Sequence, residues 1–290
     1  MNKFLFITHI TPRAKRSEFR QALIDLYFQA LEKQTYSDWK VIVFGEEERT
    51  EGKFNYFRLA DGTREERFNA TKELLATAKV QSLFSEADYI IKLDDDDIIA
   101  PDLLERLKNF DGDLYYDLFH TFVDSSSGII TQQKRSWIAS TCVHKTKHIL
   151  SPWNDPGASP VGNLLYSDHS KAWHQYYSDK KSVAADKSKP VYLRVLSPTS
   201  ITSGAIAGPP QTISDVSMEN YYIYLRGFGN WKQADVKTFD SYLPVLAEAW
   251  KKFSGVPQKN LSAEITKDKP GKVARILKRI FSKGDTKNKK

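Results

Sequence analysis

The 290-residue chain is 40% hydrophobic, enough to fill a core across one large domain or two small ones, so it is globular. Its formal charge of +7 resides in the last nineteen residues, where eight basic side chains from Lys272 to Lys290 face one acid, Asp285; the neutral remainder argues against a nucleic-acid groove. A single cysteine, Cys142, excludes an internal disulfide and a thiolate metal cluster, and no apolar run approaches the length of a membrane span.

In chain order, Lys3 to Ile10 reads as a buried first strand, because Phe4-Leu5-Phe6-Ile7 is too short for a signal peptide and no small-residue cleavage site follows. After the turn Thr11-Pro12-Arg13, Ser17 is placed as an N-cap. Phe19, Ala22, Leu23, Leu26, Ala30 and Leu31 then recur on one helical face. Trp39 to Phe44 is a second strand, closed by Gly45 and Glu46-Glu47-Glu48. Tyr56 to Leu59 is a weaker third, followed by Asp61-Gly62. Thr63-x-x-Glu66 then has the form of a capping box, opening a helix that extends to about Phe84. Tyr89 to Leu93 forms the fourth strand, and it delivers Asp94, Asp95, Asp96 and Asp97 to its end before Pro101 starts a helix. Strands alternating with helices imply an α/β protein with a mostly parallel sheet, in which ligands bind beyond the carboxyl ends of the strands. Thr8-His9, Glu46, Asp61 and the four aspartates all fall at such ends.

Leu114 to Val123 and Ile129 to Ala139 are β-rich and joined by Asp124-Ser125-Ser126-Ser127-Gly128, a hairpin signal that adds antiparallel strands. Ser151 to Gly162 is a loop, Asp168 to Tyr177 a short helix, and Pro190 to Ser197 a further strand. Residues 203–233 are aromatic without a clear period, and Tyr221, Tyr222, Tyr224, Phe228 and Trp231 suit either an acceptor wall, a lid or core. Phe239, Tyr242, Leu243, Leu246 and Trp250 return to helical spacing. Residues 254–271 suit a linker. In 272–290, Val273, Ile276, Leu277, Ile280 and Phe281 share one helical face opposite Lys272, Arg275, Lys278 and Arg279. Such a basic amphipathic helix favours an anionic membrane surface; docking on the body and a merely soluble tail are the alternatives.

Four adjacent aspartates repel one another unless a cation or a set of donors neutralises them, so something positive is expected beside them. One or two of these acids would suffice to face the dipole of the following helix, with Asp97 or Asp102 in that role.

Gln34-Thr35-Tyr36-x-x-Trp39-Lys40-Val41-Ile42-Val43, Arg67-Phe68-Asn69-Ala70 inside a helix, and Leu93-Asp94-Asp95-Asp96-Asp97-Ile98-Ile99-x-Pro101-Asp102-Leu103-Leu104 together carry a likeness. With these stretches the chain resembles the family-2-type glycosyltransferases of the GT-A fold, well over residues 3–110 and loosely over 111–200. The resemblance implies a GT-A mixed sheet over residues 1–253, with a nucleotide-sugar half (1–110) and an acceptor half (111–253). It also implies a nucleotide-diphospho-sugar donor, Mn²⁺ or Mg²⁺, inversion, and a glycan or lipid-linked acceptor of surface polysaccharide biosynthesis. With the tail, it places the protein in the cytoplasm, peripheral at the inner membrane face. Carried over residue by residue, it sets Asp94 on the donor ribose or sugar, with Asp95 grouped beside it but alternating away. Asp96 falls on the metal, and Asp97 is a second carboxylate for it. Thr8 and His9 meet the base, and Arg67 lies near the diphosphate unless it is a surface residue paired with Glu66 or Glu73. Glu46 stands where the family carries an Asp.

The chemistry of the residues agrees: breaking a sugar–phosphate bond leaves negative charge on the diphosphate, and a hard cation on carboxylate oxygens stabilises it. An inverting transfer needs one general base. Tyr166-Ser167-Asp168-His169-x-x-x-Trp173 has the family's form, making Asp168 the base, His169 its neighbour and Trp173 a stacking surface for the acceptor. Asp168 is equally placed as an N-cap, and Asp155 and Asp186 are other candidates for the base. His144 and His148 read as structural or surface residues. The rival from another class is a non-catalytic member of the fold that binds a glycan or nucleotide sugar. An aspartyl-phosphate phosphotransferase and a calcium loop fit poorly, for lack of the required Thr or Val and of the loop Gly and Glu.

Overall fold

Residues 1–60, 62–135, 142–149, 176–198, 221–222, 224–225 and 236–254 are described by the structure, a computed structural model. By internal contacts the chain forms two units: Met1–Thr121 with Lys134–Arg194, and Phe122–Gln133 with Val195–Lys290.

The first unit is built on an eight-stranded mixed sheet. Its strands in chain order are β1 (Phe4–His9), β2 (Trp39–Gly45), β3 (Arg49–Glu51), β4 (Phe54–Arg58), β5 (Tyr89–Lys92), β7 (Leu114–Tyr116), β10 (Cys142–Lys145) and β11 (Ser182–Ala184). They lie in the order β11-β7-β10-β5-β1-β2-β4-β3. β5, β1, β2 and β4 are mutually parallel. β10 is antiparallel to both β5 and β7, and β3 closes the other edge antiparallel to β4. This is the α/β architecture, parallel in its N-terminal half with antiparallel strands added, that the alternating pattern implies.

The central strands are apolar on both faces, as strands covered on both sides must be. Leu5, Ile7, Ile42, Phe44 and Ile90 share one core cluster with Leu75 of α2 (Arg64–Leu75) and Val80, Leu83 and Phe84 of α3 (Ala78–Glu86). Alternate residues project to the opposite face, where Phe28 of α1 (Glu18–Glu32) meets Phe54 and Tyr56 of β4 at ring distances of 5.5 and 6.5 Å. α1 starts where the sequence places it, with the Ser17 hydroxyl accepting from the Arg20 N–H at 3.1 Å. Its buried face also takes in Ile24 and Tyr27, and Ala22 is only partly covered.

Three expectations are corrected. The helix read as continuous from Thr63 to Phe84 is two: the capping box at Thr63 and Glu66 forms, but Thr77 leaves helical geometry and caps α3 by accepting from the Val80 N–H. A β-branched residue with a hydroxyl is well suited to interrupt a helix in this way. The stretch after the aspartates is not turn and helix alone. Asp97–Ile99 forms strand β6, antiparallel to Tyr192–Arg194 of β12 (Tyr192–Leu196), and the helix α4 (Leu103–Leu107) starts two residues past Pro101. Finally, Leu114 to Val123 is split into β7 and β8 (Phe119–Asp124) by Asp117, whose carboxylate accepts from the N–H groups of Phe119 and Val191 at 2.7 and 3.1 Å.

In the second unit the expected hairpin forms between β8 and β9 (Ile130–Lys134). Gly128 supplies its positive φ of 70°, and buried Asp124 accepts from the Ser126 N–H and the Ser126 and Ser127 hydroxyls. The Tyr221 hydroxyl also donates to Asp124, and Tyr221 packs with Phe122, Leu196 and Leu225, so this aromatic is core. A helix at Leu243–Ser254 buries Leu246 and Trp250, as its spacing implies. Ser254, read as the first linker residue, instead ends this helix, and Phe228, Trp231, residues 255–271 and the basic tail lie outside the described residues.

Candidate functional site

Ends of parallel strands are where side chains from different loops meet, and in the first unit those ends carry a dense group of charged and polar residues. β1 ends at His9, β2 at Gly45-Glu46, and β5 at Lys92, with the four aspartates immediately beyond. Asp61 lies outside the described residues.

The acidic turn is neutralised by the protein's own cations. Arg20, in the first turn of α1, grips the carboxylates of both Asp95 and Asp96 with its two terminal nitrogens, and its Nε donates to the Thr11 hydroxyl at 3.1 Å. Asp95 is 2% exposed and takes a further bond from the Thr11 N–H at 2.7 Å, so both its oxygens are engaged. Lys92 Nζ lies 3.6 Å from Asp94 Oδ1. Arg194 of β12 sits in register opposite Asp97 of β6. Burial works against the charge of Arg20, yet Asp96 and Asp95 outweigh it and raise the guanidinium pKa. Arg194 follows the same logic, with Tyr192, Asp97, Asp96 and Asp94 opposing the burial cost. Desolvation pushes Asp94 upward, but Lys92, Arg194 and Arg20 together hold its carboxyl below the ordinary value, so it is ionised at neutral pH.

The four aspartates thus differ. Asp95 and Asp97 are buried; Asp96 is partly covered, and the side chain of Asp94 is half exposed. Among the described residues no three His, Cys, Asp or Glu side chains converge on a point that would hold an ion. Asp94 and Asp96 offer the hard oxygen donors a divalent cation prefers, but too few to complete its shell. They would fit only an ion that completes its coordination with oxygens from elsewhere, and they do not form an all-protein cage.

Beside the turn, His9 is held neutral. Burial first, then Lys92 and Arg67, lower its pKa to about 4. Its Nε2 lies 3.2 Å from the Thr71 hydroxyl, which donates onward to the Arg67 carbonyl at 2.7 Å, so the shared proton belongs to Nε2 and the lone pair to Nδ1. The ring lies against Phe44 at 5.0 Å. The charge of Arg67, on α2, is near enough to contribute to the lowered His9 pKa, and its backbone carbonyl accepts from the Thr71 hydroxyl. Glu66 is engaged by the Thr63 N–H and hydroxyl. Thr8 is fully buried, with its side chain on the α1 face beside the Tyr27 hydroxyl, so it presents only backbone to a ligand there.

A concave pocket of about 150 Å³ opens over the ends of β1, β2 and β4, lined by Ile10, Arg13, Phe28, Glu46, Arg49 and Tyr56 among others. Glu46 accepts from the Arg13 N–H through both oxygens at 3.2 Å, and Glu47 pairs with Arg13 and Arg49, the latter also lying over the Tyr56 ring at 4.5 Å. Asp186 sits in a surface turn closed by Ser188. Asp155, Asp168, His169 and Trp173 lie outside the described residues.

Sequence reasoning did not single out Arg20, Lys92 or Arg194. The signals were present. A cation in the first turn of a helix opposes the helix dipole and calls for a nearby anion, and Arg194 interrupts an apolar strand where a buried charge needs a partner.

No protein-family model matches the chain, and no curated protein does. Among solved structures it is similar to TarS from S. aureus (13% identity, 87% of this chain and 72% of that chain, TM-score 0.40). It is also similar to the glycosyltransferase GlyE from Streptococcus pneumoniae (12%, 90% and 66%, TM-score 0.37) and to an active-site mutant of LgtC (11%, 88% and 98%, TM-score 0.34). At TM-scores below 0.5 these likenesses carry no weight for the function. Among the described residues no helix is long and apolar enough to cross a membrane.

Proposed function

We propose that the chain is a GT-A glycosyltransferase that moves a sugar from a nucleotide-diphospho-sugar to a glycan or lipid-linked acceptor, with inversion and with a divalent cation. The observation that carries the reading is the convergence of Asp96, Lys92 and neutral His9 on an ionised Asp94 at the carboxyl ends of β1 and β5, next to a concave pocket over β1 and β2. A carboxylate flanked by cations suits a ligand that is anionic in its diphosphate and rich in hydroxyls in its sugar. Asp94 would accept from ribose or sugar hydroxyls, Lys92 and Arg67 would face the phosphates, and the nucleotide would lie over Ile10 and Glu46. Mn²⁺ or Mg²⁺ on Asp96, with Asp97 behind it, would stabilise charge on the departing diphosphate.

The general base of this reading is Asp168, with His169 and Trp173 toward the acceptor. Attachment to an anionic membrane surface, at the inner face, rests on the charge segregation of the 272–290 tail. Thermal stabilisation by UDP-, GDP-, dTDP- and CMP-sugars, each with and without Mn²⁺, tests the donor: a shift that requires one nucleotide and metal supports the reading, and no shift with any sinks it. Loss of transfer in Asp96→Ala and Asp168→Ala separates the enzyme from a non-catalytic sugar-binding member of the fold.

A further inference from the structure

The expected positive partner of the acidic turn is a protein side chain. Arg20 uses all three of its guanidinium nitrogens, on Asp95, Asp96 and Thr11. It does so from a helix first turn, where a cation is disfavoured, so the acids are what hold it there. The two carboxylates are not held equally. Asp95 is nearly inaccessible and also bound by the Thr11 N–H, whereas the Asp96 side chain is 23% exposed and, among the described residues, has Arg20 as its only side-chain partner. The Arg20–Asp95 link is therefore the enclosed end of the clamp, and the Arg20–Asp96 link is its accessible end.

We propose that Arg20 is a positioning residue that competes with a divalent cation for Asp96. Resting on the glycosyltransferase reading, the consequence is that metal enters together with the donor. An ion approaching the turn without a donor meets a guanidinium seated on the carboxylate it needs, and three cations, Arg20, Lys92 and Arg194, offset most of the charge of four aspartates. A bound diphosphate restores the negative charge that draws the ion in and supplies the oxygens the protein lacks.

The test is a titration of the full chain with Mn²⁺ alone, followed by the electron-paramagnetic resonance signal of the free ion, so that neither donor nor turnover is involved. Arg20→Gln combined with Asp95→Asn removes the clamp without leaving a buried charge. It is expected to bind Mn²⁺ about tenfold more tightly than the unmodified chain, the scale of one charge-assisted hydrogen bond, and adding Asp96→Asn is expected to abolish the gain. Equal affinity in the double variant, or a gain that survives Asp96→Asn, overturns the proposal. Where the double variant does not fold, Arg20→Lys decides: it keeps one charge on Asp95, gives up the second arm, and must still bind Mn²⁺ more tightly. A gain in affinity in the variant, together with no sugar transfer by the unmodified chain, would refute the glycosyltransferase reading and leave the role of Arg20 standing.

Discussion

Two polar clusters of the first unit, one at each side of its sheet, are built from similar residues and do opposite things. At the antiparallel side, His148 bonds to the Tyr176 hydroxyl and Asp113 at 2.8 Å each, and Asp113 also pairs with Lys147 and accepts from the Lys181 N–H. Next to it, His144 of β10 meets the Tyr177 hydroxyl at 2.9 Å. At the parallel side stand His9, Arg20, Lys92 and the aspartates. The first cluster is closed, each member meeting a local neutral or single-charge partner. The second is charge-dense and leaves Asp94 half exposed. A histidine beside an acid thus does not mark a candidate site; an ionised acid that the fold has surrounded with cations and left open to solvent does.

The comparison breaks first on activity. Asp96→Ala is expected to lower sugar transfer by about a hundredfold or more, measured with the donor that stabilises the protein. Asp113→Ala is expected to leave transfer unchanged. If both variants lose transfer equally at equal stability, the division between the two clusters is wrong.

Stability gives the next largest effect, in the reverse sense. Asp113→Ala strips His148, Lys147 and the Lys181 N–H of their shared acceptor and is expected to cost about 2–3 kcal/mol in urea unfolding. Asp94→Asn, at a half-exposed position, is expected to cost less than about 0.5 kcal/mol in the same measurement.

Acid affects both clusters through histidines held neutral. Burial, with a smaller contribution from His148, lowers His144 to about 3; burial, Lys92 and Arg67 lower His9 to about 4. Because these folded-state values lie below the unfolded one, the unfolded chain binds more protons in acid. Their contribution is complete above about pH 6.5 and is lost as the pH falls toward 4 for His9 and 3 for His144. Urea midpoints between pH 7.5 and 5 should therefore fall, and His9→Gln should flatten part of that slope. A slope unchanged by the substitution would show that His9 titrates normally.

A modest effect sharpens the picture of the closed cluster. Tyr176→Phe removes one of the two hydrogen bonds of His148 and is expected to cost about 1 kcal/mol with no change in transfer. A larger loss would mean the tyrosine fixes more than its partner.

Much of this fold is written in local pattern. The apolar runs at Phe4–His9, Trp39–Gly45 and Tyr89–Lys92, the N-cap at Ser17, the capping box at Thr63 and Glu66, and the hairpin turn ending at Gly128 are each decided by residues within a few positions of one another, and each forms. So is the arrival of four aspartates at a strand end. Local pattern misreads the chain where a partner is distant. Ile98 and Ile99 suit a turn leading to a helix until Tyr192 to Arg194 arrive to pair with them, more than ninety residues on.

The acidic turn shows the same division. Repulsion among adjacent carboxylates requires a positive neighbour, and that much follows from the sequence alone. That the neighbour is Arg20, seventy-five residues before Asp95, and that it binds Asp95 in the interior while leaving Asp96 near the surface, depends on the first turn of α1 lying beside the turn that follows β5. Electrostatics sets the need from composition. Tertiary packing chooses which side chain meets it, because reach and burial are properties of the folded chain.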